Sequence, residues 1–203
     1  MATPIGHALA GAIVYAGFRR AGWKTPSMIA AIVAANLPDI DFFPGLFVHA
    51  LRKYHHGVTH SIGAVVVGAV LLAAVWMLAR RLRLRRLELP FLKRGDTRPA
   101  STTTGIGFLR LTLFFGACIL SHVLIDYITV DRGGLIGIPL LWPFGKAFYI
   151  AVYPIFGDVW RAPLFSKKVI IHNLCNVIVE VIAFVPILVL LLYFRRRKEE
   201  KKR

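Results

Sequence analysis

Three long apolar runs limit what this chain can fold into. They cover residues 61–79, 107–128 and 169–194. A membrane-spanning helix needs about 20 mostly apolar residues, because each residue adds about 1.5 Å across a hydrocarbon core about 30 Å thick. Lipid offers the backbone no hydrogen-bond partners, so such runs cross the bilayer as helices. We therefore predict an all-α, polytopic membrane protein with three long transmembrane helices.

Two shorter apolar stretches, 5–18 and 26–36, precede the long runs. Each is brief for a full crossing, so we expect an N-terminal pair of short apolar helices that forms a tight hairpin. Short or broken helices are tolerated in membranes where surrounding protein covers their ends. We predict that residues 1–203 form a single membrane-embedded domain.

Most of the basic residues lie in the segments between these runs, although seven of them fall on the opposite side from the main clusters: Arg52, Lys53, Arg132, Lys146, Arg161, Lys167 and Lys168. The chain carries a formal charge of +16, concentrated around 19–24, in a loop at 80–105 and in a tail at 195–203. Such segments stay on the cytoplasmic side and attract anionic lipid. This pattern predicts a cell-membrane protein with a cytoplasmic C-terminus and no nucleic-acid partner. The loop at 129–168 then lies outside.

That outer loop is rich in aromatic residues. They resemble the aromatic belt that anchors proteins at the membrane surface. The anchor is the favoured interpretation, and a lid or floor of a lipid-facing cleft is the alternative. The residues are Trp142, Phe144, Phe148, Tyr149, Tyr153 and Trp160.

Histidines and acidic residues gather at the membrane face opposite the basic segments. His122 and Asp126 are four residues apart, which places them on one face of a helix. Ionisable groups in membrane helices are costly unless they are paired or bound to metal, so these residues are functional candidates. The full set is His7, Asp39, Asp41, His55, His56, His60, His122, Asp126, His172 and Glu180.

Mixed imidazole and carboxylate ligands suit zinc, and also manganese or iron. Zinc lowers the pKa of a bound water to about 7, and two ions together clamp the attacking and leaving oxygens of a phosphodiester. We therefore expect a divalent-metal cofactor, with two or three Zn²⁺ ions preferred and Mn²⁺ or Fe²⁺ as alternatives.

Five short motifs occur in order along residues 5–143. They are Gly6-His7, LPDID at 37–41, HHGVTHS at 55–61, Ser121-His122 with Asp126, and PLLWP at 139–143. Together they resemble the bacterial inner-membrane-associated metal-dependent hydrolases of the YdjM-like, LexA-regulated family. The resemblance implies an all-helical fold in the inner membrane. It also implies metal-binding roles for His7, Asp39, Asp41, His60, His122 and Asp126.

Two departures from the family pattern affect the predicted site. The family often has His-Arg-Gly where this chain has His55-His56-Gly57, so His56 replaces an arginine. The wider superfamily resembles zinc-dependent phospholipase C and P1-type nuclease, whose third helix carries His and Glu four residues apart. Here His172 and Glu180 are eight apart. We expect a phospholipase C-like metal site at one membrane face, with these two residues as further ligands.

The leading hypothesis is a membrane-bound metal-dependent hydrolase that cleaves a phosphoester or phospholipid. Asp39 or Asp41 would hold or deprotonate the attacking water, and His55 and His56 are the other catalytic candidates. Membrane lipids and a lipid or phosphoester substrate are then the expected partners. The alternatives are a metal or proton transporter and a non-catalytic membrane interaction protein.

Overall fold

The computed structural model describes residues 2–18, 26–47, 55–87, 104–130, 137–160 and 165–200. The predicted basic segment at 19–24, most of the loop at 80–105 and the last three residues of the tail lie outside the described residues. Six α-helices occur in the described part: α1 (Pro4–Phe18), α2 (Met28–Asn36), α3 (Phe42–Phe47), α4 (Ile62–Leu87), α5 (Thr104–Tyr127) and α6 (Lys167–Glu200). Two 3-10 turns, Leu37–Asp41 and Val58–His60, connect them.

The prediction of an all-helical membrane fold is confirmed. No strand occurs in the described ranges, where isolated backbone bridges alone join extended segments. Three segments are long and apolar enough to cross a membrane: Ile62–Leu82, Gly107–Tyr127 and Lys167–Lys198. The short predicted pair corresponds to α1, an apolar helix of 15 residues, and α2, which has nine.

Helix α5 lies at the centre of the bundle. It packs against α4 on one side and against α1 and α2 on another, while α6 packs against α1. In the largest core cluster, Phe114, Phe115 and Cys118 of α5 meet the small residues Ala31 and Ala35 of α2. Small side chains let membrane helices approach closely, so the two short helices can fit between the long ones.

Helix α2 is short because its sequence stops it at both ends. The Ser27 side chain accepts a hydrogen bond from the backbone N–H of Ala30, which caps the helix start. Pro38 near the other end has no backbone N–H to continue the helix, and the chain tightens into the 3-10 turn Leu37–Asp41. This turn is the LPDID motif itself, and it places Asp39 beside the end of α5.

Residues 137–160, which we call the cap, cross the end of the bundle where α4 starts and α5 ends. The first amides of α4 bond to the cap, with Ile62 N–H donating to Leu140 O at 2.9 Å and Gly63 N–H to Trp142 O at 3.2 Å. Ala151 N–H donates to Tyr127 O at the end of α5. The cap thus fixes the two helix ends relative to each other.

The contact between α1 and α2 leaves no room for a side chain at Gly11. A Cβ atom there would lie 2.8 Å from the backbone oxygen of Ala31 and 2.9 Å from the Cβ of Ala35. We expect Gly11→Ala to separate the two helices and to destabilise the protein, since overpacking a tight contact costs about 1–3 kcal/mol. The loss should appear as a lower midpoint temperature for the monodisperse species in detergent.

Gly17→Ala is the matched control, because a Cβ atom at Gly17 meets nothing within 4 Å. Alanine also favours helix over glycine, so this variant should be at least as stable as the wild type. Equal thermal midpoints for the two variants would contradict the tight packing of α1 on α2.

Candidate metal centre

Eight of the predicted site residues converge at the capped end of the bundle. They come from α1, from the 3-10 turn after α2, from the turn before α4 and from the last turns of α5. We call them the His–Asp cluster: His7, Asp39, Asp41, His55, His56, His60, His122 and Asp126. Every imidazole in the cluster is buried, and so is Asp126.

Four side chains of the cluster are spaced like the ligands of one ion. His60 Nε2 lies 3.1 Å from His122 Nε2, and each nitrogen lies 3.3 Å from Asp126 Oδ2. Asp39 Oδ1 lies 3.7 Å from the His60 nitrogen and 3.5 Å from the His122 nitrogen. Ligand atoms about 2.0–2.1 Å from a tetrahedral zinc ion are separated by about 3.3–3.4 Å. These four residues, the four-ligand group, therefore fit around a single divalent ion.

The carboxylate atoms that would bind the ion have no other partner. Asp39 Oδ1 and Asp126 Oδ2 are buried and accept no hydrogen bond from any described residue. A buried polar atom without a partner costs about 1–3 kcal/mol, and more if it is charged. A cation held by the four-ligand group would satisfy both oxygens, so the residues fit a metal ion.

The two imidazoles are held in the orientation that metal ligation needs. His122 Nδ1 lies 2.8 Å from the backbone oxygen of Ala35, which can only accept, so this nitrogen carries the proton. His60 Nδ1 lies 3.2 Å from Asp41 Oδ2. In both rings the Nε2 lone pair is then directed into the cluster. Such hydrogen bonds to the other ring nitrogen are the usual support of metal-binding histidines.

Asp41 organises the turn that carries three of the histidines. Its Oδ2 accepts hydrogen bonds from Gly57 N–H at 3.2 Å and from the Thr59 hydroxyl at 3.0 Å. Its Oδ1 lies 3.1 Å from His55 Nδ1. Asp41 also falls within ligand distance of Asp39 and His55. Because its oxygens already accept these bonds, we interpret Asp41 as an orienting residue for His55 and His60.

His55 and His56 line the cluster beside the four-ligand group. The ring of His55 stacks on Phe42 at 4.0 Å, and its buried Nε2 has no hydrogen-bond partner in the described ranges. His56 has a backbone φ of 62°, a left-handed conformation that non-glycine residues adopt infrequently. Together with His60 and Asp126 they form a further group whose ligand atoms lie within 4.8 Å of one another.

The electrostatic field of the cluster favours a cation. The described ion-pair partners of Asp39, Asp41 and Asp126 are all histidines. Burial lowers the pKa of His60, but the three neighbouring carboxylates outweigh this effect and raise that pKa well above its usual value. Burial would likewise raise the pKa of Asp39 and Asp41, and their histidine partners hold both below the usual range.

His55 differs from His60. Burial lowers its pKa to about 4, despite the hydrogen bond to Asp41, and the neighbouring His56 and His60 add to this effect. At neutral pH His55 is therefore a neutral imidazole. The positive charge of the metal-free cluster is concentrated nearer to His60.

His7 is the one member of the cluster that lies outside the groups of three or more that could hold an ion. It is fully buried, its ring stacks on His122 at 3.6 Å, and its Nε2 lies 3.5 Å from Asp126 Oδ1. Neither ring nitrogen has a hydrogen-bond partner among the described residues.

The structure does not bring His172 and Glu180 to the groups that could hold an ion, which corrects the expected ligand set. Glu180 accepts hydrogen bonds from the backbone N–H of Thr3, at 2.7 Å, and from the Thr3 hydroxyl. His172 stacks on Trp160 at 4.0 Å and lies 2.8 Å from the backbone oxygen of Asp158. Because α6 packs on α1, its polar side chains meet the start of α1 and the cap instead.

Two supporting groups were not predicted from the sequence. The Thr59 hydroxyl lies within the HHGVTHS motif, so the motif itself was an available signal for it. The backbone oxygen of Ala35 that orients His122 gives no signal in the sequence, because every residue carries a carbonyl.

The fold and the site together define a class: a helical membrane protein with a buried histidine–aspartate site that can hold a metal ion. A family model described as YdjM inner membrane protein matches residues 1–198. The chain therefore belongs to this family, as its motifs indicated. Neither the curated proteins nor the solved structures contain a match to it, so the expected likeness to phospholipase C and P1 nuclease is not shown.

Removal of either an imidazole or a carboxylate from the four-ligand group should abolish tight metal binding. We expect wild-type protein, purified in detergent without a histidine tag, to hold at least one divalent ion per chain by mass spectrometry. His60→Ala and Asp126→Asn should each lose it. His172→Ala is the matched control and should retain it, because His172 lies outside the groups that could hold an ion. Wild-type protein that cannot be loaded with zinc or manganese would contradict the site.

Asp41→Asn should weaken metal binding without removing the site. Loss of the carboxylate that orients His60 is expected to lower the affinity by about 10–100-fold, the usual cost of losing such a partner. The number of ions bound at saturation should stay the same, as measured by titration with a competing chelator. Asp158→Asn, outside the groups that could hold an ion, should leave the affinity unchanged. A lower number of ions at saturation would instead identify Asp41 as a ligand.

Proposed function

We propose that this protein is a membrane-embedded, divalent-metal-dependent hydrolase of phosphoesters, with a lipid phosphoester as its substrate. The observation that carries the proposal is the four-ligand group, whose two carboxylate atoms lack other partners, beside the unpartnered Nε2 of His55. Zinc suits these ligands best, and manganese or iron would also be accepted.

The metal would be held by Asp39, His60, His122 and Asp126. When bound, a divalent ion supplies Lewis-acid polarisation of a phosphoryl oxygen and makes a nearby water more acidic. The residues of the chain supply position and proton transfer around it. Asp41 fixes the rings of His55 and His60 through their Nδ1 atoms, so that neither ring needs to reorient during a reaction.

His55 is the residue best placed to move a proton. Its Nδ1 is held by Asp41, and its Nε2 is buried without a hydrogen-bond partner in the described ranges. A general base must present a free lone pair within hydrogen-bond reach of the proton that it takes. We assign His55 to that role and His56 to contact with the phosphoryl group, at the position where the family pattern that the motifs resemble often has arginine.

The surroundings of the cluster support a lipid as the source of the phosphoester. The cluster is enclosed by helices whose outer faces are apolar. In the most apolar part of α4 only 17% of the residues are buried within the protein, and in that of α6 only 6%. These faces lie in lipid, so lipid molecules surround the helices that carry the cluster. The hydrolysis of a phosphodiester headgroup would fit this location.

We further propose that the cluster faces the non-cytoplasmic side of the inner membrane, with the C-terminus in the cytoplasm. The described basic residues at the C-terminal ends of α4 and α6, including Arg80, Arg81 and Arg195–Lys198, lie at the opposite end of the bundle from the cluster, whereas Lys167 and Lys168 begin α6 on the capped side. Positively charged helix ends are typical of the cytoplasmic side.

A transporter would need ionisable groups along a path across the membrane. In the described part of the chain, the buried ionisable side chains are gathered at the capped end: His7, His55, His56, His60, His122, Asp126 and Glu180. This distribution favours a single site at one end of the bundle over a transport path across the membrane.

The proposed activity predicts metal-dependent hydrolysis by the purified protein. In nanodiscs loaded with zinc or manganese, we expect cleavage of a bis-aryl phosphodiester or of phospholipid, and loss of that cleavage on chelation. His122→Ala and Asp126→Asn should reduce the rate at least 100-fold, because each removes a ligand of the four-ligand group. The rate should fall similarly in His55→Ala, although that variant should keep its metal.

His172→Ala is the control here as well and should retain the wild-type rate within a few-fold. Protein that is folded and fully loaded with metal but inactive on a broad panel of phosphomonoesters, phosphodiesters and phospholipids would refute the proposed activity. Uptake of metal by sealed vesicles that contain the protein would point to transport instead.

A further inference from the structure

The metal centre lies level with the middle of α6 and not with its end. Ala2 N–H donates to Asp126 Oδ1 at 2.9 Å, and the next residue, Thr3, donates its N–H to Glu180 at 2.7 Å. Asp126 and Glu180 are therefore at nearly the same depth. Glu180 lies 13 residues after the start of α6 at Lys167, so the helix continues for about 20 Å past the cluster on the capped side.

The long helices give two different positions for the membrane surface. The apolar spans Ile62–Leu82 and Gly107–Tyr127 start or end beside the cluster, which would place the cluster at the edge of the hydrocarbon. The span Lys167–Lys198 extends well beyond it. If the membrane ended at the cluster, the first turns of α6 would project into water.

After the exposed Lys167 and Lys168 that begin α6, whose long side chains can extend to the headgroup region, the surface of those first turns is apolar. Ile170, Ile171, Leu174 and Ile178 are each about half exposed. The polar side chains that follow the two lysines point the other way, toward the cap: His172 and Asn176 reach Asp158 O, and Asn173 bonds to the backbone of Trp160. Polar groups inside and apolar groups outside is the reverse of a water-facing surface.

The outer surface of the cap continues this apolar face. The side chains of Phe144, Val152 and Tyr153 are 96%, 84% and 87% exposed, and Phe165 just before α6 is 94% exposed. The 24 residues of the cap include one lysine and one aspartate, Lys146 and Asp158. An exposed apolar patch of this kind on a folded protein marks a surface that something covers.

We propose that the cap and the first three turns of α6 are embedded in lipid, so that the metal centre lies beneath the membrane surface. The covering partner is the acyl chain and headgroup region of one leaflet. This surface is continuous with the lipid-facing sides of the membrane-spanning helices, and the aromatic side chains on it suit the membrane interface. The membrane surface then lies beyond the cluster, near the start of α6. The cap occupies the part of the leaflet that α4 and α5 are too short to reach, so the three long helices fit one membrane position. The inference does not depend on the proposed activity.

Spin labels on the cap would test this placement. In a Cys175→Ser background, Phe144→Cys and Tyr153→Cys would each carry a nitroxide in lipid nanodiscs, since the remaining Cys118 is fully buried. Val75→Cys, on the exposed face of α4, is the lipid reference, and Glu200→Cys, at the end of α6, is the water reference. Collision of the label with oxygen, which dissolves in lipid, is compared with collision with a water-soluble nickel chelate.

We expect the two cap labels to match the Val75 reference, with an oxygen-to-nickel ratio several-fold above that at Glu200. A ratio like that at Glu200 would place the cap in water and overturn the proposal. Labels shielded from both reagents would show that protein, such as a second copy of the chain, covers the cap, and this result would overturn it too.

The native Cys175 gives an independent check that needs no substitution in the cap. It is exposed on α6, between Glu180 and the start of the helix. A thiol in lipid reacts poorly with charged maleimides, because transfer of the charged reagent into hydrocarbon is costly. In intact membranes open to the reagent on both sides, Cys175 should label at least ten-fold more slowly than Glu200→Cys in the Cys175→Ser background. Equal labelling rates would refute the embedded position.

Discussion

The convergence of three carboxylates on one enclosed point is the constraint on which the rest of this structure depends. Asp39, Asp41 and Asp126 come from two separate parts of the chain, and their described ion-pair partners are histidines. Like charges at such distances repel strongly where water cannot screen them. A positive charge must therefore lie among them, either as a proton on His60 or as a metal ion. Because the site is assembled only by folding, binding of a metal ion would also stabilise the fold.

The short helices make this convergence possible. A long α2 would carry Asp39 and Asp41 away from α5, whereas the proline-initiated 3-10 turn brings them to the last turns of α5. The end of α2 also exposes the carbonyl of Ala35, which His122 uses. Irregular backbone is tolerated inside a membrane protein where other protein groups satisfy it. Here the break in the helix supplies one ligand of the four-ligand group, Asp39, and two orienting acceptors, the Asp41 carboxylate and the Ala35 carbonyl.

Features that depend only on the local sequence, such as helix length and the residues that share a helix face, could be predicted. The lipid requires about 20 apolar residues for each crossing, so the three long helices are evident in the hydropathy. The spacing of His122 and Asp126 fixes their shared face whatever surrounds them. The ligand roles expected for His172 and Glu180 could not be tested by spacing alone. A helical spacing shows which residues share a face but not which neighbour that face meets. Helix α6 turns them toward Thr3 and the cap, and only tertiary packing determines this.

The same geometry bears on how many ions the centre can hold. The three groups within ligand distance overlap, since His60 and Asp126 belong to two of them and Asp39 and His55 each belong to two. One ion in the four-ligand group uses the unpartnered oxygens and leaves every orienting hydrogen bond intact. A second ion at His55 and His56 would require Asp126 or His60 to serve both ions. The other ring nitrogen of His60, Nδ1, could bind the second ion only if it lost its contact with Asp41. A carboxylate can bridge two ions through its two oxygens, whereas an imidazole nitrogen binds one. A centre of two or three ions would therefore depend on bridging by aspartate, and the four-ligand group would be the position to fill first.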